Sequence, residues 1–289
     1  MDYTTILLHV QDDSHQAAVT AAAAGLALRW QAHLTGLHTH VPTYHGYVAS
    51  GSYPVAVSPE MIENDESEAA EHDQTLDAAF VRQLERRGVT DYDWQYRCAE
   101  LADQTTADLL TAAARNADLV IMGQHDAEDD DDHVSFETPA VVALGATRPV
   151  LVLPREYGFD TIGRRIVIGW NASREAARAV TAALPFLRDA ETVELLVVED
   201  DSAADHAHGA EPGADIALYL ARHDIDVQVM RRSRGRRDVA DVLLEQVAES
   251  GADLLCLGAY GHSRLRELAF GGVTYSMLRQ ATVPMLLAC

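Results

Sequence analysis

Four glycines near the C-terminal end of the chain have a spacing suited to holding an anion. After the apolar run 254–257 the chain reads Gly258-Ala-Tyr-Gly261-His262-Ser-Arg264-Leu-Arg266-Glu-Leu-Ala-Phe-Gly271-Gly272-Val273-Thr274, and a helical stretch over 275–281 follows. Gly258 and Gly261 permit a sharp turn off a strand and a close backbone approach to a ligand. Gly271 and Gly272 precede a helix whose free N–H groups and positive dipole end favour an anion such as phosphate. Thr274 adds a hydroxyl donor in the first helical turn, while Arg264 and Arg266 either reach the anion or pair on the surface. Other polar clusters suggest less. Residues 126–137 have the length of an EF-hand loop, but Asp131 stands where that loop needs glycine, so the acidic run 126–132 reads as a solvated loop. His33, His38, His40 and His45 are dense, yet no cysteine or carboxylate completes a zinc set of recognised spacing; they read as satisfied or exposed histidines. The cluster Arg231-Arg-Ser-Arg-Gly-Arg-Arg237 reads as surface pairing with Asp and Glu, with Arg236 or Arg237 near a ligand mouth as the alternative.

These residues need elements to hold them, and the chain supplies the elements twice. Ala117-Asp-Leu-Val-Ile-Met-Gly123 reappears as Ala252-Asp-Leu-Leu-Cys-Leu-Gly258, and Ala146-Thr-Arg-Pro-Val-Leu-Val-Leu153 as Ala281-Thr-Val-Pro-Met-Leu-Leu-Ala288, both at an offset of 135. The opening strands, at residues 6–10 and 166–170, match at 160 instead. The first copy therefore carries about 25 extra residues, which fall at 40–71 and suggest a long loop leading into a lengthened helix. Short apolar runs (4–10, 33–40, 119–122, 150–153) read as buried parallel strands. Alanine-rich stretches (16–30, 105–116) have helical spacing, with counterparts at 173–187 and 239–250. Such alternation predicts an α/β fold: two doubly wound parallel-sheet, Rossmann-like domains in tandem, at 1–154 and 163–289, joined by a linker at about 155–164. Ligands of such sheets sit beyond the carboxyl ends of the strands at the topological switch point, here after Trp170, Val198 and Leu257.

Composition narrows the chemistry. The 289 residues suffice for two ordinary domains, and 48% apolar with 23% charged residues fits a globular protein. All 22 basic residues are arginine, which excludes lysine Schiff bases and the P-loop lysine. The net charge of −23 argues against nucleic-acid or anionic-membrane partners. That charge is uneven: residues 1–154 carry 7 Arg against 25 acidic residues, and residues 155–289 carry 15 against 20, so a phosphate-bearing ligand is better received by the second copy. Three cysteines without metal spacing, no apolar run of membrane length and no secretory leader in the opening residues lead to the expectation of a cytoplasmic protein.

The pattern G-x2-G-x9-G, opening after a strand and closing on a helix, resembles that of the universal stress protein family, and the strand–helix order of both copies is similar to the family's. The resemblance implies an adenine-nucleotide α-hydrolase-like fold, binding of ATP or AMP, Mg²⁺ as a companion to ATP, and a role in stress response or signalling. It also implies that the two copies pack as an internal pseudo-dimer, with further homodimerisation left open. Carried onto this sequence, Asn171 takes the family's usual Asp position after the first strand and Val197 the second-strand contact. Gly258, Gly261, His262, Gly271, Gly272, Val273 and Thr274 take the loop positions. Two departures stand out: Asn171 lacks the charge, and Gly272 replaces a Ser or Thr, deleting one hydroxyl while keeping its N–H. In the first copy the offset of 135 puts Asp126 at Gly261, Phe136 at Gly271, Glu137 at Gly272 and Pro139 at Thr274, and Gln11 stands where Asn171 does. Carboxylates there repel phosphate by about 1 kcal/mol or more each at contact range. One nucleotide per chain, in the second copy, is the expectation.

No general base, activated nucleophile or metal site is legible beside the glycines, so slow ATP hydrolysis is the most that catalysis would amount to. The alternatives are an interaction protein that binds no nucleotide, and an adenine-nucleotide-dependent enzyme. An adenylating enzyme would show an SGGxDS or HIGH-type loop after strand one, and neither Gln11-Asp-Asp-Ser14 nor Asn171-Ala-Ser173 supplies it.

Overall fold

The structure is a computed structural model and describes residues 2–40, 58–89, 93–101, 104–125, 134–156, 158, 161–199, 211–259 and 272–289. In the first copy the described elements are β1 (Thr5–Val10), α1 (Gln16–Trp30), β2 (His33–His40), α2 (Pro59–Arg87), β3 (Trp94–Glu100), α3 (Thr106–Ala114), β4 (Leu119–Gly123), α4 (Thr138–Ala146) and β5 (Val150–Leu153). In the second they are β6 (Arg165–Trp170), α5 (Arg174–Leu187), β7 (Thr192–Glu199), α6 (Ala214–Ala221), β8 (Gln228–Ser233), α7 (Val239–Ser250), β9 (Leu254–Gly258), α8 (Gly272–Gln280) and β10 (Met285–Ala288). The lengthened helix expected of the first copy is α2, with 29 residues against 8 in α6. Ser58 caps α2 by accepting from the Met61 N–H, Pro59 opens it, and Gly88 ends it in the left-handed region.

All ten strands join one sheet in the order β3-β2-β1-β4-β5-β10-β9-β6-β7-β8. Each half repeats the order third, second, first, fourth, fifth, and within each half every pairing is parallel. The halves meet where β5 and β10 pair antiparallel, Val150 opposite Leu287 and Val152 opposite Met285. Both strands are wholly buried, so each copy covers the other's sheet edge, which would otherwise expose an apolar ladder.

Helices cover both faces. One core runs beneath α1, α2, α5 and α6, the other beneath α3, α4, α7 and α8, and each draws residues from both copies. At the seam, Tyr3, Trp30 and Phe186 stack edge to face at centroid distances of 4.8–6.0 Å, and the Tyr3 hydroxyl donates to the Ala182 carbonyl. Arg29 reaches across to Asp189 and the Ile162 carbonyl. One device repeats with the sequence. Asp118, at the start of β4, accepts from the N–H groups and hydroxyls of Thr4 and Thr5; Asp253, at the start of β9, accepts from the N–H groups of Arg164 and Arg165. The Ala-Asp-Leu repeat thus ties each fourth strand to the beginning of its first.

Candidate functional site

The switch point of the second copy lies between β6 and β9, where the strand order reverses. Trp170 ends β6, and the next three residues form a tight turn into α5. Asn171 Oδ1 accepts from the Ser173 N–H at 3.2 Å, Ala172 takes φ +55°, and Ser173 caps α5 by accepting from the Ala176 N–H at 3.1 Å. Asn171 is exposed, so its amide N–H₂ remains a donor while its carbonyl shapes the turn. Glu175, in the first turn, is buried; burial raises its carboxyl, but hydrogen bonds, led by that from Arg174, outweigh this and leave its pKa lowered.

Gly258 closes β9 against this same turn. A Cβ there would lie 2.4 Å from the Ala176 nitrogen and 2.5 Å from the Glu175 carbonyl carbon. The missing side chain therefore lets the first turn of α5 press onto the strand end, and its φ lies outside the left-handed region. The sequence suggests a turn residue; the structure gives Gly258 a packing duty. Val197 is fully buried in β7 in register with Trp170 and builds the wall beneath the crevice. Gly272 opens α8 at an exposed position, with no described residue within 4 Å of an added Cβ. Val273 is half-buried against the core, and Thr274, in the first turn as expected, is buried at 5% exposure. Gly261, His262, Gly271, Arg264 and Arg266 lie outside the described residues, as do the acidic run 126–132 and His45.

The first copy builds the same location differently. Gln11, the counterpart of Asn171, is buried; its Nε2 lies 3.4 Å from His125 Nδ1, and its N–H donates to Gln16 Oε1. Gly123, the counterpart of Gly258, has no helix backbone against it: an added Cβ would meet Gln11 Oε1 at 3.1 Å and the His15 ring at 3.6 Å. Side chains here take the place that the α5 backbone takes in the second copy. At the start of α4, Glu137 puts a carboxylate where α8 has Gly272, and burial raises its pKa. A helix start that already carries its own carboxylate has less to offer a phosphate.

The remaining clusters resolve into local partnerships. Arg231 and Arg232 lie within edge strand β8, where alternation places them on opposite faces. They pair with Glu199 and Glu249, and Arg237 pairs with Glu245 at 2.6 Å. His38 Nδ1 lies 3.0 Å from the Val10 carbonyl, and its ring stands edge-on to that of His72, which pairs with Asp12 at 3.3 Å. His72 comes from α2, and nothing in its sequence spacing ties it to the strand histidines. Among the described residues no group of three or more His, Cys, Asp or Glu has metal-holding geometry. Cys256 is buried in β9 and burial pushes its thiol pKa up; Cys98 is exposed on β3. No described helix is long and apolar enough to cross a membrane.

By fold, this is a doubled, doubly wound α/β protein whose crevices open at the carboxyl ends of the strands. Residues 163–288 match the model of the universal stress protein family. A universal stress protein of Synechocystis sp. is 26% identical over 141 residues, 48% of this chain and 46% of the relative, so the match spans about half the length of that curated protein. A universal stress protein from Archaeoglobus fulgidus has the same fold over the whole chain, with a TM-score of 0.69, 14% identity, and coverage of 98% of this chain and 97% of that one. A functionally unknown protein from Pseudomonas aeruginosa gives a TM-score of 0.62 at 14% identity, covering 99% and 92%.

Proposed function

We propose that the second copy binds one adenine nucleotide, ATP or AMP, and that the first copy, a degenerate version of the same unit at 1–154, binds none. The observation that carries this reading is the contrast at two equivalent helix starts: Gly272 is exposed and uncharged, whereas Glu137 brings a carboxylate. In the second copy, over 163–289, the exposed Asn171 amide faces solvent at the end of β6 and suits the adenine edge. Main-chain groups near Val197 flank the base, and the backbone N–H groups of 258–274 with the α8 dipole hold the phosphates, Mg²⁺ accompanying ATP. Binding of this kind suits a stress-response or signalling protein in the cytoplasm that reads nucleotide level, with hydrolysis slow. The match of residues 163–288 to the universal stress protein family model supports that role.

The test is calorimetric titration of ATP and AMP into the full chain and into Gly261→Asp, which copies the first unit's residue at that position. The wild type should bind one equivalent, and the variant should lose at least about tenfold in affinity while keeping its unfolding midpoint. Unchanged affinity in the folded variant would refute the assignment of the loop.

A further inference from the structure

Side chains of the first copy hold α8 of the second copy near both of its ends. Gln124, just past the end of β4, donates from Nε2 to the Leu278 carbonyl at 2.8 Å. That carbonyl lies in the last turn of α8, among those a helix leaves without an intrahelical partner. The rest of Gln124 is fixed as well: its Oε1 accepts from the Arg155 N–H at 3.3 Å, and its own N–H donates to the Leu153 carbonyl. In the first turn of α8, the Tyr275 ring meets the Phe136 ring edge to face at a centroid distance of 5.1 Å. Arg279 lies over both rings, 5.9 Å from Phe136 and 5.7 Å from Tyr275, and donates to the Tyr275 hydroxyl.

The hold runs one way. At the repeat offset of 135, Ala259 takes the place of Gln124 and Gly271 that of Phe136, so the second copy has neither an amide nor a ring to give α4 in return. On the receiving side, Ala140, Ala143 and Leu144 take the places of Tyr275, Leu278 and Arg279. Helix α4 nonetheless forms over nine residues with its inner face buried, so the fold itself does not demand these contacts. They occur only where they bear on α8.

Their effect there follows from what else fastens that helix. Thr274, Met277 and Leu278 bury its inner face, and apolar burial is non-directional. The free N–H groups at a helix start cannot turn independently of the helix axis, so contacts that fix the axis preset these donors for an anion. We infer that Gln124 and Phe136 are positioning residues for the second copy's nucleotide site, acting through α8 rather than on the ligand. The inference rests on the nucleotide reading above, and it gives the first copy a task in a site that lies in its twin.

The test is calorimetric titration of ATP into the full chain and its variants. Gln124→Ala/Phe136→Gly, which gives the first copy the second copy's own residues, should weaken ATP binding about fivefold or more. Should that variant fail to fold, Gln124→Met and Phe136→Leu, which keep volume and remove only the amide or the ring, should each weaken binding about threefold. Phe136→Tyr keeps the ring and should retain wild-type affinity. Tyr3→Phe removes a cross-copy hydrogen bond from the other core, and should lower stability without changing ATP affinity. Affinity within about twofold of wild type in both folded single variants, loss of binding in Phe136→Tyr, or equal weakening by Tyr3→Phe would overturn the positioning role and leave the nucleotide reading standing. Failure of the wild type to bind ATP would instead overturn that reading, and the positioning role with it.

Discussion

Gly258 and Gly123 occupy the same place in the repeat, yet they face different neighbours, and that difference is measurable one residue at a time. A methyl group on Gly258 meets helix backbone that cannot step aside, whereas one on Gly123 meets the tip of the Gln11 side chain. Gly258→Ala should therefore cost about 1–3 kcal/mol in chemical denaturation and Gly123→Ala less than about 1 kcal/mol. Gly272 offers the opposite experiment. It is exposed and no described residue crowds it, so Gly272→Ser should leave stability within about 0.5 kcal/mol and tighten ATP binding severalfold by restoring a hydroxyl donor at the helix start. Calorimetry showing weaker binding in that variant would argue that the phosphates lie elsewhere. At this scale the sequence was informative about which glycines matter and less so about why. Gly258 reads as a turn residue because its clash partner, the α5 backbone at Ala176, is 82 residues away in sequence and appears only when β9 and β6 pair.

Elements were the most legible level. The helices Gln16–Trp30 and Val239–Ser250 and the strands His33–His40 and Val150–Leu153 fall at the limits that apolar periodicity suggests, because each is flanked by a cap or a turn residue. Edge strand β8 reaches further than a loop-like arginine run suggests: its Arg231 and Arg232 mimic a polar loop, since a strand with one open edge needs little apolar content. The Ala-Asp-Leu repeat was visible as a pattern, but its reason required the fold. Asp118 anchors β1 to β4, and although burial raises its carboxyl, hydrogen bonds from Thr4 and Thr5 win and lower its pKa. A lowered folded pKa means stabilisation that is full above the ordinary carboxylate range and lost as pH falls through the folded value. Asp118→Ala should cost about 1–3 kcal/mol near neutral pH, and its gap from wild type should narrow in acid. Urea titrations at the two pH values read both numbers, and a gap that widened in acid would contradict the role given to Asp118.

Across the whole molecule, the antiparallel β5–β10 seam turns two similar units into one sheet with shared cores on both faces. Sequence offers no direct sign of that seam, because Val150–Leu153 and Met285–Ala288 read as ordinary buried strands whether a neighbour or a second molecule covers them. Doubling within one chain frees the copies to diverge. The second retains an exposed glycine at its helix start, while the first fills its switch point with Gln11 and His125 and places Glu137 at the equivalent helix start. The central claim is that this divergence leaves a single nucleotide site per chain. Native mass spectrometry of the intact chain with saturating ATP tests it most directly: one bound nucleotide, absent from Gly261→Asp, is the predicted result, and two nucleotides per chain would contradict the account.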